Sequence, residues 1–216
     1  MASPSKLIIV GAGGHALSVA DAAISSSWSV VGFYSPDGAG PSSMMGEIFT
    51  SLDALDLSDV SFALGIGTNH LRQAVAEDIG KRFPQKEIVS IIHPTAWVSS
   101  QAIVHPGAVI LAHAAVGPGS TVGHGALLNT GSSLDHESTL GNYASLGPGA
   151  RSGGNVTVGE RTMIGMLAGI LHGVKVGSDT VVGAQSLVNT DLDSNLVAWG
   201  TPARTVRTRL KEDPYY

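Results

Sequence analysis

At 216 residues, with a formal net charge of −5, the chain can build one sizeable domain or two small ones, and it is too acidic to grip a nucleic-acid backbone. It has no cysteine, which excludes disulfides, thiolate metal sites and a cysteine nucleophile. Only 13% of residues are charged, about half the usual fraction, and 28 are glycine, so tight turns and burial extending between subunits are expected.

The stretch Met1 to Lys6 lacks the regions of a secretory signal, and the apolar run Leu7 to Val10 is too short to cross a membrane. A cytoplasmic protein without a membrane partner is expected. Leu7-Ile8-Ile9-Val10 is a buried-strand run that ends in Gly11-Ala12-Gly13-Gly14-His15. The pattern then predicts a helix from Ala16 to Ile24, strands at Val30 to Tyr34 and Val60 to Ile66, a helix from Asn69 to Phe83 and a strand from Glu87 to Ile92. Strands alternating with helices imply a small parallel sheet with crossover helices. Residues 1–92 are therefore an α/β, Rossmann-like domain, too small for a complete dinucleotide fold.

Its glycine turn follows a strand and opens a helix, where bare backbone N–H groups can receive a phosphate. It departs from G-x-G-x-x-G because the sixth position is Ala16, and the nearest downstream acid, Asp37, sits in a Pro/Gly-rich loop. The turn suits a phosphate or sugar contact rather than NAD, or a tight connection with no ligand. A second turn, Gly65-Ile66-Gly67-Thr68-Asn69, is expected on the same carboxyl edge of the sheet.

From Trp97 the spacing changes to a period of six. Val98, Val104, Ile110, Val116, Val122, Leu128, Leu134, Leu140 and Leu146 fall in one phase, which resumes after Ser152 with Val158, Ile164, Ile170, Val176, Val182 and Val188. One aliphatic in six fills the side of a triangular coil of eighteen residues, and about five such coils stack as a parallel β-helix over residues 93–195. Glycine follows many of these positions, as at Gly117, Gly123 and Gly141, and is expected to take strained corner conformations. The tail, residues 196–216, is expected to leave the coil and pack back on it.

Residues eighteen apart are stacked neighbours. His136, within Asp135-His136-Glu137, lies at a coil corner directly below Gly154. An imidazole beside an open glycine N–H suits acyl transfer: one group takes a proton from the nucleophile and the other holds the oxyanion. Glu137 is the first choice to orient the ring, Asp135 the second. The same histidine also reads as one polar corner residue among the eight histidines of the chain. His172 shares that corner two coils on, roughly 10 Å along the axis, too far for both rings to hold one zinc ion within a chain. The third histidine that a zinc site at subunit junctions would want is replaced by Gly177, so no metal is expected.

Three segments carry a resemblance: Ile9-Val10-Gly11-Ala12-Gly13-Gly14-His15-Ala16, Asn129-Thr130-Gly131-Ser132-Ser133-Leu134-Asp135-His136-Glu137, and Gly200-Thr201-Pro202-Ala203. In order and spacing the chain resembles the left-handed β-helix acetyltransferases that include nucleotide-linked 4-amino-sugar N-acetyltransferases and sialic acid O-acetyltransferases. The resemblance implies a homotrimer with acetyl-CoA between neighbouring β-helices, His136 as general base and Glu137 as its partner. It implies cofactor contacts at Ser145, Gly154, Met166 and Ala184, and contacts to the nucleotide-sugar at Gly13, Gly14 and His15. Two positions depart from the family. Ser35 and Pro36 stand where many members carry an acidic pair that holds the nucleotide, and Ser145 stands where many carry histidine. The nucleotide-sugar N-acetyltransferase is the leading expectation. O-acetylation of a sialic acid or related sugar, and a non-catalytic nucleotide-sensing trimer, are the alternatives.

Overall fold

The computed structural model describes residues 5–215, so most of the stretch Met1 to Lys6, and Tyr216, lie outside the described residues. The N-terminal part contains β1 (Lys6–Val10), α1 (Gly14–Ser25), β2 (Ser29–Tyr34), β3 (Ile48–Phe49), β4 (Val60–Leu64) and α2 (Asn69–Arg82). The four strands form a parallel sheet in the order β3-β2-β1-β4. β1 is central and four of its five residues are buried, as its unbroken apolar run requires. The strand β3 had no sequence signal beyond two apolar residues. None of the described helices is long and apolar enough to cross a membrane.

α1 begins two residues before the predicted Ala16 and presents Ala16, Val19, Ala20 and Ala23, all buried, to its surroundings. One core cluster joins these residues to Leu7, Ile9 and Phe33 of the sheet and to Val109 and Leu127 of the β-helix. Alanine-sized side chains let the helix lie close to both. The two parts therefore share a core, and burial of each of its Val, Leu, Ile and Phe side chains contributes about 1.5–3 kcal/mol.

The predicted strand from Glu87 to Ile92 is divided. Ile88 bridges to Phe62 of β4, whereas Ile91–Ile92 pairs with Val109–Ile110 and forms the first rung of the β-helix. The coil thus starts two residues before position 93. Beyond it, two-residue strands recur every six residues and stack with a register of eighteen: Thr121 lies between Ile103 and Thr139. They make three parallel sheets of a left-handed β-helix. The first face carries Val109, Leu127, Ser145, Met163 and Val181, the second Ala115, Ser133, Arg151 and Gly169, and the third Thr121, Thr139, Thr157 and Lys175. The inward series from Val116 to Leu146 is fully buried.

The corner glycines serve a different purpose from the one expected. Gly117, Gly141 and Gly165 do not have positive φ; that conformation falls two residues later, at Gly119 (71°), Tyr143 (55°) and Leu167 (58°). What glycine supplies at the earlier position is room. A Cβ on Gly117 would stand 2.6 Å from the backbone N of His136 in the next coil, and one on Gly165 2.6 Å from that of Ala184. Close stacking of the coils, rather than backbone strain, demands the missing side chain.

The tail is more ordered than a strap. Leu196–Gly200 adds to the edge of the first face beside Val181–Val182, and Ala203–Thr208 folds back against it antiparallel. The hairpin caps the open end of a solenoid.

Candidate active site

His136 sits on the vertex between the second and third faces, in the turn Asp135 to Ser138. Buried hydroxyls of neighbouring coils fix that turn. Ser120 Oγ donates to the Asp135 carbonyl (2.7 Å) and accepts from the Ser138 N–H (3.0 Å), and Ser152 Oγ accepts from the Asp135 N–H (3.0 Å). Ser152 is the one break in the inward aliphatic series, and this bond accounts for it.

The imidazole is 45% exposed, and its Nδ1 lies 3.1 Å from Glu137 Oε2. Asp135 is otherwise engaged, since its Oδ1 accepts the backbone N–H of His136 at 2.8 Å. The side of the ring away from Nδ1, made of Cε1, Nε2 and Cδ2, lies against Gly154. A Cβ there would stand 2.2 Å from Cε1 and 2.3 Å from Nε2, so the imidazole occupies the space a side chain would take. The residue is buried under that ring, and its N–H donates to no described residue. His172 is nearer than its two-coil separation implied, with ring centroids 6.1 Å apart. Among the described residues no three His, Asp or Glu side chains cluster as metal ligands.

A cavity of about 930 Å³ lies between the carboxyl edge of the parallel sheet and the first face. Gly13, Gly14, His15 and Ser35 line one side, and Ser145, Met166 and Ala184 the other. A Cβ on Gly13 or Gly14 would meet nothing within 4 Å, so a ligand can reach the backbone there. The His15 ring is held low, at about 4, by burial and secondarily by the Arg72 cation. It is therefore neutral at pH 7, and its buried Nε2 has no hydrogen-bond partner among the described residues. His136 and Gly154 are not part of this cavity. Their column lies six residues along the coil from that of Met166 and Ala184, which puts at most roughly 20 Å, one side of the triangle, between them. The four residues expected to contact the cofactor are thus split between two corners of one chain.

The seam behind the cavity is built around a side chain that the sequence did not single out. Arg72, 1% exposed, sends Nε to the Gly125 carbonyl (2.7 Å) and Nη1 to the carbonyls of Ile66 and Gly67 (both 2.9 Å). Its Nη2 reaches Asn69 Oδ1 (2.8 Å), the Tyr143 carbonyl (2.9 Å) and Ser145 Oγ (2.9 Å). No carboxylate faces it in these bonds, and burial pulls the guanidinium down to about 10. The cation ties the Gly65–Thr68 turn to the β-helix. Ser145 also donates to Asn69 Oδ1 at 2.6 Å, so its hydroxyl is tied into the seam where it lines the cavity. From the tail, Tyr215 accepts the Asn69 N–H at 2.7 Å and closes the cavity's edge.

Residues 6–79 match the PglD N-terminal domain model, and residues 155–190 the bacterial transferase hexapeptide model. The acetyltransferase domain of PglB from Neisseria gonorrhoeae, solved with acetyl coenzyme A, superposes with a TM-score of 0.87 at 29% identity over 94% of this chain and 100% of that one. GDP-perosamine N-acetyltransferase from Caulobacter crescentus, solved with CoA and GDP-perosamine, gives 0.87 at 31% identity over 94% and 97%. Among curated proteins, galactoside O-acetyltransferase of Escherichia coli is 38% identical over 61 residues, and the chain spans about 30% of that relative's length. With a relative above 30% identity covered almost end to end, the chain belongs to the left-handed β-helix family of nucleotide-sugar acetyltransferases.

Proposed function

We propose that the protein is a cytoplasmic homotrimer that transfers acetyl from acetyl-CoA to the amine of a nucleotide-linked 4-amino-sugar. The observation that carries this is the imidazole of His136, fixed by Glu137 through Nδ1 and set against a glycine whose N–H donates to no described residue. With Nδ1–H donated to the carboxylate, Nε2 is left as an acceptor for the amine proton. The amine attacks the thioester carbon directly, and the Gly154 N–H holds the developing oxyanion. The absence of cysteine agrees with a path that forms no acyl-enzyme.

The separation of this corner from the cavity supports the trimer. A chain on its own cannot bring Gly13, Gly14, His15 and Ser35 to its own His136 across a whole face, whereas a neighbour packed on the second face would supply the missing corner. Acetyl-CoA would then run between subunits, touching Met166, Ala184 and the rim at Ser145 on one and Gly154 on the other. That PglB and GDP-perosamine N-acetyltransferase were solved with acetyl coenzyme A and with CoA plus GDP-perosamine favours these ligands. The similarity to galactoside O-acetyltransferase favours a second reading, acetylation of a sugar hydroxyl by the same base.

One measurement tests the shared base and a second separates the acceptors. His136→Ala is expected to lower kcat at least 100-fold at saturating substrates, and retention of most turnover would overturn the reading. A thermal-shift panel of UDP-, GDP- and dTDP-amino-sugars with and without CoA identifies the acceptor, because ligands of the folded state stabilise it. Binding of a free sugar, with none of any nucleotide-sugar, would favour the hydroxyl acceptor.

A further inference from the structure

We infer that His172 is a second catalytic imidazole, donating an N–H to the thioester carbonyl oxygen while His136 removes the proton from the attacking amine. The inference rests on the proposed acetyl transfer at His136.

His136 and His172 occupy the same vertex of coils two layers apart, a rise of roughly 9.6 Å at the usual strand spacing. Their ring centroids are nevertheless 6.1 Å apart, with planes inclined by 43°. The layer between them makes this approach possible, because it is Gly153-Gly154. A Cβ on Gly154 would overlap the His136 ring, and one on Gly153 would stand 2.8 Å from the backbone N of His172. Both imidazoles lean over a layer stripped of side chains.

The bland account of His172 is a solvated corner residue. Against it, the ring contributes to none of the core clusters and hydrogen-bonds to no described residue, and it stands beside the ring of His136. Its residue is exposed and is followed by Gly173 at φ 76°, so neither packing nor the turn calls for an imidazole there. Glu137 fixes His136 as an acceptor, whereas His172 has both nitrogens uncommitted and can present a donor.

Two hydrogen bonds of about 2.7–3.2 Å, reaching the nitrogen and the oxygen on one carbon, bridge rings at this separation. In the step so arranged, the amine nitrogen bonds to the acyl carbon and the carbonyl π pair moves onto oxygen, which accepts from His172 and from Gly154. The amine proton passes to His136 Nε2. When the carbonyl re-forms, the C–S bond breaks and that proton leaves with the CoA sulfur as thiol. His172 ends as it began.

The test uses the full-length protein and three variants at this position. His172→Ala and His172→Phe are expected to lower kcat 10- to 100-fold, with KM for both substrates within about twofold and the melting temperature unchanged. His172→Gln, which keeps an N–H donor of similar reach, is expected to recover at least a third of the parent kcat. Ala and Phe variants that keep kcat within twofold, while His136→Ala is inactive, overturn the inference and leave the acetyltransferase reading standing. A readout independent of turnover covers failure of that reading. Ring ¹⁵N resonances of His172 are expected to move with acetyl-CoA but not with CoA, which lacks the carbonyl. Identical spectra with the two would overturn the inference.

Discussion

Replacing Gly154 with alanine perturbs the corner at its tightest point. The backbone tolerates the change, because Gly154 does not have positive φ. The added Cβ, however, would stand 2.2 Å from Cε1 and 2.3 Å from Nε2 of His136, against a normal contact of about 3.5–4.0 Å. The imidazole is the mobile partner and must retreat by more than 1 Å. Its Nδ1–Glu137 bond, already 3.1 Å long, does not survive such a swing. A misplacement of about 1 Å at a reacting group costs on the order of 100-fold in rate, or about 2.7 kcal/mol of transition-state stabilisation. Stability should change little: an exposed hydrogen bond contributes about 1 kcal/mol or less, which shifts the melting temperature by at most about 4 °C. Release of CoA thiol during turnover and a thermal melt read the two effects separately. A Gly154→Ala protein with kcat within threefold of the parent would refute the placement of the ring.

Arg72→Met strips the seam of its cation and leaves four backbone carbonyls without their donor, those of Gly125, Ile66, Gly67 and Tyr143. A loss of about 3–5 kcal/mol is expected, seen as a fall in melting temperature of about 10 °C or more; a fall under 2 °C would mean that the carbonyls find other partners. His15 makes stability depend on pH. Its folded value of about 4 lies below the unfolded 6.5, so the native state holds it neutral while the unfolded chain takes up a proton. The contribution is complete above pH 6.5 and declines as pH falls towards 4, by about 3 kcal/mol in all. Urea unfolding at pH 6.5 and 4.5 should show this loss in the parent and much less of it in His15→Gln; equal losses in both would remove His15 as the cause.

The six-residue period made the β-helix legible because one aliphatic per side is all that a triangular core accepts. The same spacing misassigned the glycines. A sequence shows which residue follows the inward aliphatic, but the positive φ falls two residues later, and the glycine is required by the coil above. The pairing of His136 with Glu137 could be read from adjacency. Sequence alone left Asp135 as an alternative, which the structure engages with its own backbone. Arg72 could not be read, because its partners are mostly carbonyls, some 53 and 71 residues distant, and no acidic residue marks them. The eighteen-residue register that the spacing gave holds in the structure, so Met166 stacks with Ala184 and Gly154 with His136. The separation of these two columns by a full face follows from the same register; what the structure added is the seat of the α/β domain, and of the cavity with it, on the first face.

Whether one chain's corner serves another chain's cavity can be measured with two inactive variants. His136→Ala loses the corner, and Gly13→Trp fills the glycine turn of the cavity. After unfolding and refolding together in equal amounts, with native mass spectrometry to verify mixed trimers, about a quarter of the parental activity should return. In a cyclic trimer each site then draws an intact corner and an intact cavity from neighbouring chains with a chance of about one half each. Mixed trimers that form and remain inactive would place both halves of the site within one chain and contradict the account.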